Sequence, residues 1–188
     1  METLRGRLHR VRIDGDEVRL GRMIDCERLQ IEMANVVVNT NRRTVERIGE
    51  TTFRAVIDER AVNRYLREFP PPDEEPVRIR NVRILDGRVV AEGTRWLLGK
   101  AWPYTVVAEP RLVAGTQLAF APDRMSVLGV RVPLPRSVLR WLAERLSDGF
   151  DFGTLPFPVR IDRFQTVRGR FVVEGTADVI GMLNAPPG

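Results

Sequence analysis

Polar and apolar positions alternate along most of this chain. Val11 and Ile13 alternate with Arg10, Arg12 and Asp14. Asp14-Gly15 then reads as a hairpin turn ahead of Val18 and Leu20. Leu29, Ile31 and Met33 alternate with Gln30 and Glu32 and run into Val36-Val37-Val38, followed by Phe53, Ala55 and Ile57. Val77 and Ile79 begin a further stretch whose register changes near Asn81, continues through Val82 and Ile84, and turns at Asp86-Gly87. Leu118/Phe120, Met125/Val127 and Val130/Val132/Leu134 extend the pattern. A period of two in β-branched residues predicts antiparallel sheet, one face apolar and the other rich in arginine.

Two segments change to a helical period. Asp58 has the short acceptor side chain of an N-cap, and Ala61, Val62, Tyr65, Leu66 and Phe69 fall on one stripe behind it. Pro70-Pro71-Pro72 stops this helix. A second helix is predicted from Pro135, carrying Val138, Leu139, Leu142, Ala143 and Leu146 and ending before Gly149.

The segment PVRIRNVRILDGRVVAEGT at 76–94 returns, ungapped, as PVRIDRFQTVRGRFVVEGT at 158–176. The helices upstream match as well, Val62, Arg64, Tyr65 and Leu66 against Val138, Arg140, Trp141 and Leu142. Self-similarity on this scale is a property of the fold. It predicts one domain of two pseudo-repeats, about 4–94 and 95–182, each made of strands, a helix and a hairpin.

Composition narrows the function classes. The 188 residues are 43% hydrophobic and 29% charged, sufficient for a continuous core. Net charge is +5, nearly all the positive charge is arginine, and Lys100 is the only lysine. A single cysteine, Cys26, excludes an intramolecular disulfide, and a single histidine, His9, removes most His-centred catalysis and multi-His metal sites. No apolar run reaches the roughly 18 residues that span a bilayer, and 1–10 lack the apolar core of a signal peptide. The expectation is a soluble chain in the cytoplasm or at a membrane surface, or in the cell envelope if a leader has been removed.

Catalytic motifs are not supplied. Gly93 to Lys100 has five residues between Gly93 and Gly99 where a P-loop has four, and Ala101 stands where a magnesium-holding hydroxyl would be. Asp14-Gly15-Asp16-Glu17 lacks the ligand spacing of a calcium loop. No enzyme activity, metal or cofactor is expected. The arginines attract phosphate, but they alternate with Asp and Glu as on a solvated sheet face, so nucleic acid is not the expected partner.

Apolar loops are the more unusual feature. Trp96 to Tyr104 holds two of the three tryptophans, and Phe150 to Pro158 holds three phenylalanines among Gly and Pro. Such groups either close the ends of the core or form a lip toward lipid.

The order of alternating strands, the Phe53-Arg54-Ala55-Val56-Ile57-Asp58-Glu59 passage into the Val62–Leu66 helix, and the repeated PVRI…GR…EGT hairpin resemble the LmeA-type bacterial phospholipid-binding family. The resemblance covers roughly 4–182. It implies phospholipid binding without catalysis, a role in membrane or envelope lipid handling, and kinship with tubular lipid-binding folds.

The reading is therefore a β-rich α+β domain, a twisted antiparallel sheet with two amphipathic helices around an apolar cavity for anionic phospholipid. Cavity candidates are Val62, Leu66, Phe69, Leu139, Leu142 and Leu146. Gate or membrane contacts are Trp96, Trp102, Tyr104, Phe150, Phe152 and Phe157. Head-group candidates are Arg64, Arg78, Arg140 and Arg160. Two alternatives stand beside it, a scaffolding module that docks a protein through the apolar loops and a basic nucleic-acid-binding domain.

Overall fold

The alternating segments form strands because their apolar side chains can be buried only if every second residue faces the interior. In the computed structural model, which describes residues 5–19, 24–68, 77–97, 99–132, 150–155 and 157–184, they build two antiparallel sheets. In chain order the elements are β1 (Arg5–Val18), β2 (Cys26–Asn39), β3 (Thr44–Arg47), β4 (Glu50–Asp58), α1 (Glu59–Glu68), β5 (Val77–Leu85) and β6 (Arg88–Leu97). They continue with β7 (Lys100–Val113), β8 (Gln117–Val127), β9 (Val130–Val132), β10 (Val159–Val167), β11 (Arg170–Ala177) and the short α2 (Ile180–Leu183).

The first sheet runs β1-β2-β4-β11-β10, with β3 pairing β2, and the second is the meander β5-β6-β7-β8-β9. The chain passes from β4 into α1, so the meander that follows starts a second sheet, while the final hairpin returns to β4 in the first. The main core lies between the inner faces, with Ala55, Ile57, Phe171 and Val173 from the first sheet against Val82, Ile84, Val106 and Leu118 from the second, and a smaller cluster joins Met33 and Val36 of β2 to Val179.

The Asp14-Gly15 turn does not form. β1 passes straight through it, Asp14 opposite Gln30 and Gly15 opposite Leu29, and the connection falls at 19–25 instead. A long partner strand supplies continuous ladder bonds, and Arg12 and Gln30 hold the Asp14 carboxylate on the sheet surface.

The first helix begins where the cap places it. The Ala61 amide donates to Asp58 Oδ1 at 2.7 Å, and α1 runs for ten residues. Its side chains also cover the open edge of β5. The Val82 amide donates to Asn63 Oδ1 (2.7 Å), Asn63 Nδ2 returns a bond to the Val82 carbonyl (2.8 Å), and the Ile84 amide donates to Glu59 Oε2 (2.8 Å). An edge strand covered in this way cannot recruit another chain. Phe69 and the whole predicted second helix, with Leu139, Arg140, Leu142 and Leu146, lie outside the described residues.

The repeated sequence makes repeated hairpins. In β5–β6, Arg78 faces Thr94 and Ile79 faces Gly93 before a register shift ahead of Asn81, the site where the pattern changed in the sequence. In β10–β11, Arg160 faces Thr176 and Ile161 faces Gly175 before the same shift ahead of Arg163. At both bulges the strands approach so closely that a Cβ on Gly93 or Gly175 would sit 2.0 or 2.1 Å from the carbonyl oxygen of Arg78 or Arg160. The tips meet reciprocally, the Gly87 amide donating to Thr166 O (3.3 Å) and the Gly169 amide to Ile84 O (2.8 Å). These four residues are equivalent in pairs, so the bonds obey a local twofold. Beyond the hairpins, the strand orders of the two sheets differ, and the larger unit of strands, helix and hairpin is not reproduced among the described residues.

Candidate functional site

The two aromatic segments have different environments. Phe150 is fully buried, with ring centroids 5.6 Å from Phe120 and 5.2 Å from Phe171. The backbone around it is pinned to the β7–β8 turn, since the Leu118 amide donates to Phe150 O and the Phe152 amide to Thr116 O. Asp151 then caps a single 3-10 turn, Phe152–Thr154, by accepting from the Gly153 amide at 2.9 Å. This turn carries Phe152 inward, and Phe157 follows half-buried.

The segment lies over an apolar cleft in the first sheet. The lining is Leu29 and Ile31 of β2, Phe53 and Ala55 of β4, Phe152, Leu155 and Phe157 of the segment, and Val159, Ala177 and Val179 beside it. Every one of these side chains is apolar. The enclosed space is about 20 Å³, room for about one water and far short of an acyl chain. Of the sequence-predicted residues, Phe152 and Phe157 reach this cleft. Val62 and Leu66 instead join the core under α1.

Trp96 to Tyr104 is mostly strand, the end of β6 and the start of β7. Tyr104 faces the core, 3% exposed and directly over Gly93, while Trp102 is half-buried and Trp96 is 54% exposed.

A family model described as LmeA-like phospholipid-binding matches residues 1–176. The chain belongs to the LmeA-like phospholipid-binding family. No curated protein and no solved structure matches it. The family is characterised by binding, not by a reaction, and an entirely apolar cleft is consistent with that description.

The polar surface contrasts with this lipid-binding character. A groove of about 670 Å³ between α1 and the β1–β2 end is lined by Glu17, Asp25, Glu27, Asp58 and Glu59 against Arg60, Arg64 and Arg67, five carboxylates to three guanidinium groups. Arg64 already faces Asp25 at 3.7 Å. A hydrogen bond from Arg19, together with the charges of Arg19 and Arg64, holds the Asp25 carboxyl below its ordinary value against the opposing effect of burial. Arg160 pairs with Asp162 at 3.0 Å on β10, and Arg78 stands at the equivalent place on β5 of the other sheet. Arg140 lies outside the described residues. The three described candidates therefore stand on three different elements and form no common basic pocket.

Buried titratable groups show no reactive character. Burial, aided by the Asp25 charge, pushes the Cys26 thiol up to about 12, so it stays protonated. Burial alone raises the Tyr104 hydroxyl. Among the described residues no cluster of His, Cys, Asp or Glu could hold a metal, and no helix is long and apolar enough to cross a membrane.

Sequence reasoning missed Leu29, Ile31, Phe53, Leu155, Val159 and Val179 as cleft residues. Alternation marked the strand residues as inward-facing, but only the returning chain at 152–159 shows which of them line a cleft. It also missed Leu128 and Val130, exposed at the β8–β9 turn. A β-branched residue beside a glycine turn was the only local signal.

Proposed function

We propose that this protein binds and carries phospholipid, taking acyl chains into the cleft of Leu29, Ile31, Phe53, Phe152, Leu155, Phe157, Val159 and Val179 when the 152–157 segment lifts. The observation that carries this reading is the absence of any polar side chain from the cleft lining in a chain of a phospholipid-binding family. Lifting the segment exposes apolar surface, which an acyl chain covers again. Each buried CH₂ is worth about 0.8 kcal/mol relative to water, and leaving a bilayer costs about as much, so transfer between membrane and cleft is near balance. Arg160 adjoins Val159 of the lining and is the nearest of the expected head-group residues along the chain, which suits an anionic lipid. No residue is assigned a catalytic role, and the working site is a membrane surface.

Native mass spectrometry of the purified protein, followed by organic extraction, tests this. A stoichiometric phospholipid is the expected result. An unchanged protein mass after incubation with phosphatidylglycerol vesicles would overturn it.

A further inference from the structure

At one end of the second sheet the β6–β7 turn and the β8–β9 turn project side by side, because β8 runs antiparallel to β7 and the Leu128 amide donates to Pro103 O. Leu128 and Val130 are 62% and 65% exposed, and Trp96, near the end of β6 at the same end of the sheet, is 54% exposed. An exposed group of large apolar residues at a strand end costs solubility unless something covers it. The opposite end of the same sheet also exposes Leu112 and Val113, but its turn at Ala114–Thr116 is bonded to β10 and to the 150–152 segment through Gly115 and Thr116.

Charge indicates what covers the free end. Residues 95–103 and 127–131 carry Arg95, Lys100 and Arg131 and no carboxylate, although carboxylates make up 25 of the 188 residues. The only lysine of the chain is here, on a flexible stem suited to reaching past apolar groups toward phosphate. Arg95 faces Trp102 across the ladder, one row beyond the Gly93–Tyr104 pair on the same face. Arg95 Nε and the Tyr104 hydroxyl are both buried, and neither finds a hydrogen-bond partner among the described residues. Unsatisfied buried donors are costly, and an anionic oxygen would satisfy them.

We infer that this end of the second sheet docks on an anionic phospholipid bilayer. Trp96, Leu128 and Val130 enter the interface, Lys100 and Arg131 meet lipid phosphates, and Arg95 takes a phosphate at the base. The inference rests on the phospholipid reading above and adds to it a bilayer-docking end, opposite the end of the second sheet that holds the 150–152 segment. Tryptophan at the head-group level and basic residues beside it are the combination such an interface favours.

The test is co-sedimentation of the full chain with vesicles of equal parts phosphatidylcholine and phosphatidylglycerol, and with phosphatidylcholine alone. Wild type is expected to bind the mixed vesicles and to weaken with salt. The Leu128→Asp/Val130→Asp variant, altered only at exposed positions, is expected to lose about tenfold or more. Leu8→Asp, an equally polar change at a 48% exposed site on β1, is expected to bind as wild type. Arg95→Gln is expected to lower the preference for mixed over neutral vesicles. Undiminished binding by the double variant, or an equal loss in Leu8→Asp, overturns the inference. So does a wild type that ignores both vesicles but gains mass with concentration, which would make this end a protein interface. Extracting lipid from the double variant separates the two readings. Bound phospholipid together with wild-type sedimentation removes the docking face alone, whereas a wild type that holds no lipid and ignores vesicles removes both.

Discussion

The segments 96–104 and 150–157 look alike in composition, each a short apolar stretch with aromatic residues beside Gly and Pro, yet one contributes to the centre of the molecule and the other reaches its surface. Phe150 is 0% exposed and Trp96 54%. The difference lies in the backbone. Amides and carbonyls around Phe150 are satisfied by the β7–β8 turn, so the chain is drawn against the core and its rings follow. Trp96 follows Arg95, which shares the inner face with Gly93 and the buried Tyr104, so strand alternation puts Trp96 on the outer face of the second sheet. Hydrophobicity sets how much a residue gains by leaving water, while the hydrogen-bonded path of the chain decides whether it can leave.

The comparison breaks most visibly at Phe150. Phe150→Ala is expected to cost about 3–5 kcal/mol, measured by urea unfolding, because it removes a ring packed between Phe120 and Phe171. A loss below about 1 kcal/mol would show that the segment is not held in the core. Asp151→Ala removes the cap on the 3-10 turn and is expected to cost about 1 kcal/mol. It should also speed lipid uptake if that turn closes the cleft, which fluorescent-phospholipid binding would read. Trp96→Ala is expected to change stability by no more than about 0.5 kcal/mol, since the side chain is mostly in water already. A larger loss would place it in a packed role like that of Phe150.

Much of the fold is legible without coordinates. The strands follow from alternation, the start of α1 from Asp58, and the bulge in β5 from the change of phase at Asn81, because each depends on residues a few positions apart. The cleft is different. It joins Leu29, Phe53, Phe152 and Val179, which span 150 positions of the chain, and nothing local to Leu29 distinguishes a cleft wall from ordinary core. Asp14-Gly15 makes the same point in reverse. Its turn preference, worth about 1 kcal/mol at most, is overridden by a ladder extending along both of its neighbours.

The repeat shows where the boundary falls. By itself the sequence determines that one hairpin occurs twice, with its turn, its bulge and a glycine where two backbones nearly touch, because those requirements are local and steric. Only the tertiary structure decides that the copies enter different sheets and close on each other through Gly87–Thr166 and Gly169–Ile84. Those bonds form between chain segments brought together by burying both inner faces in one core. That burial is a property of the whole molecule, which a local pattern cannot express.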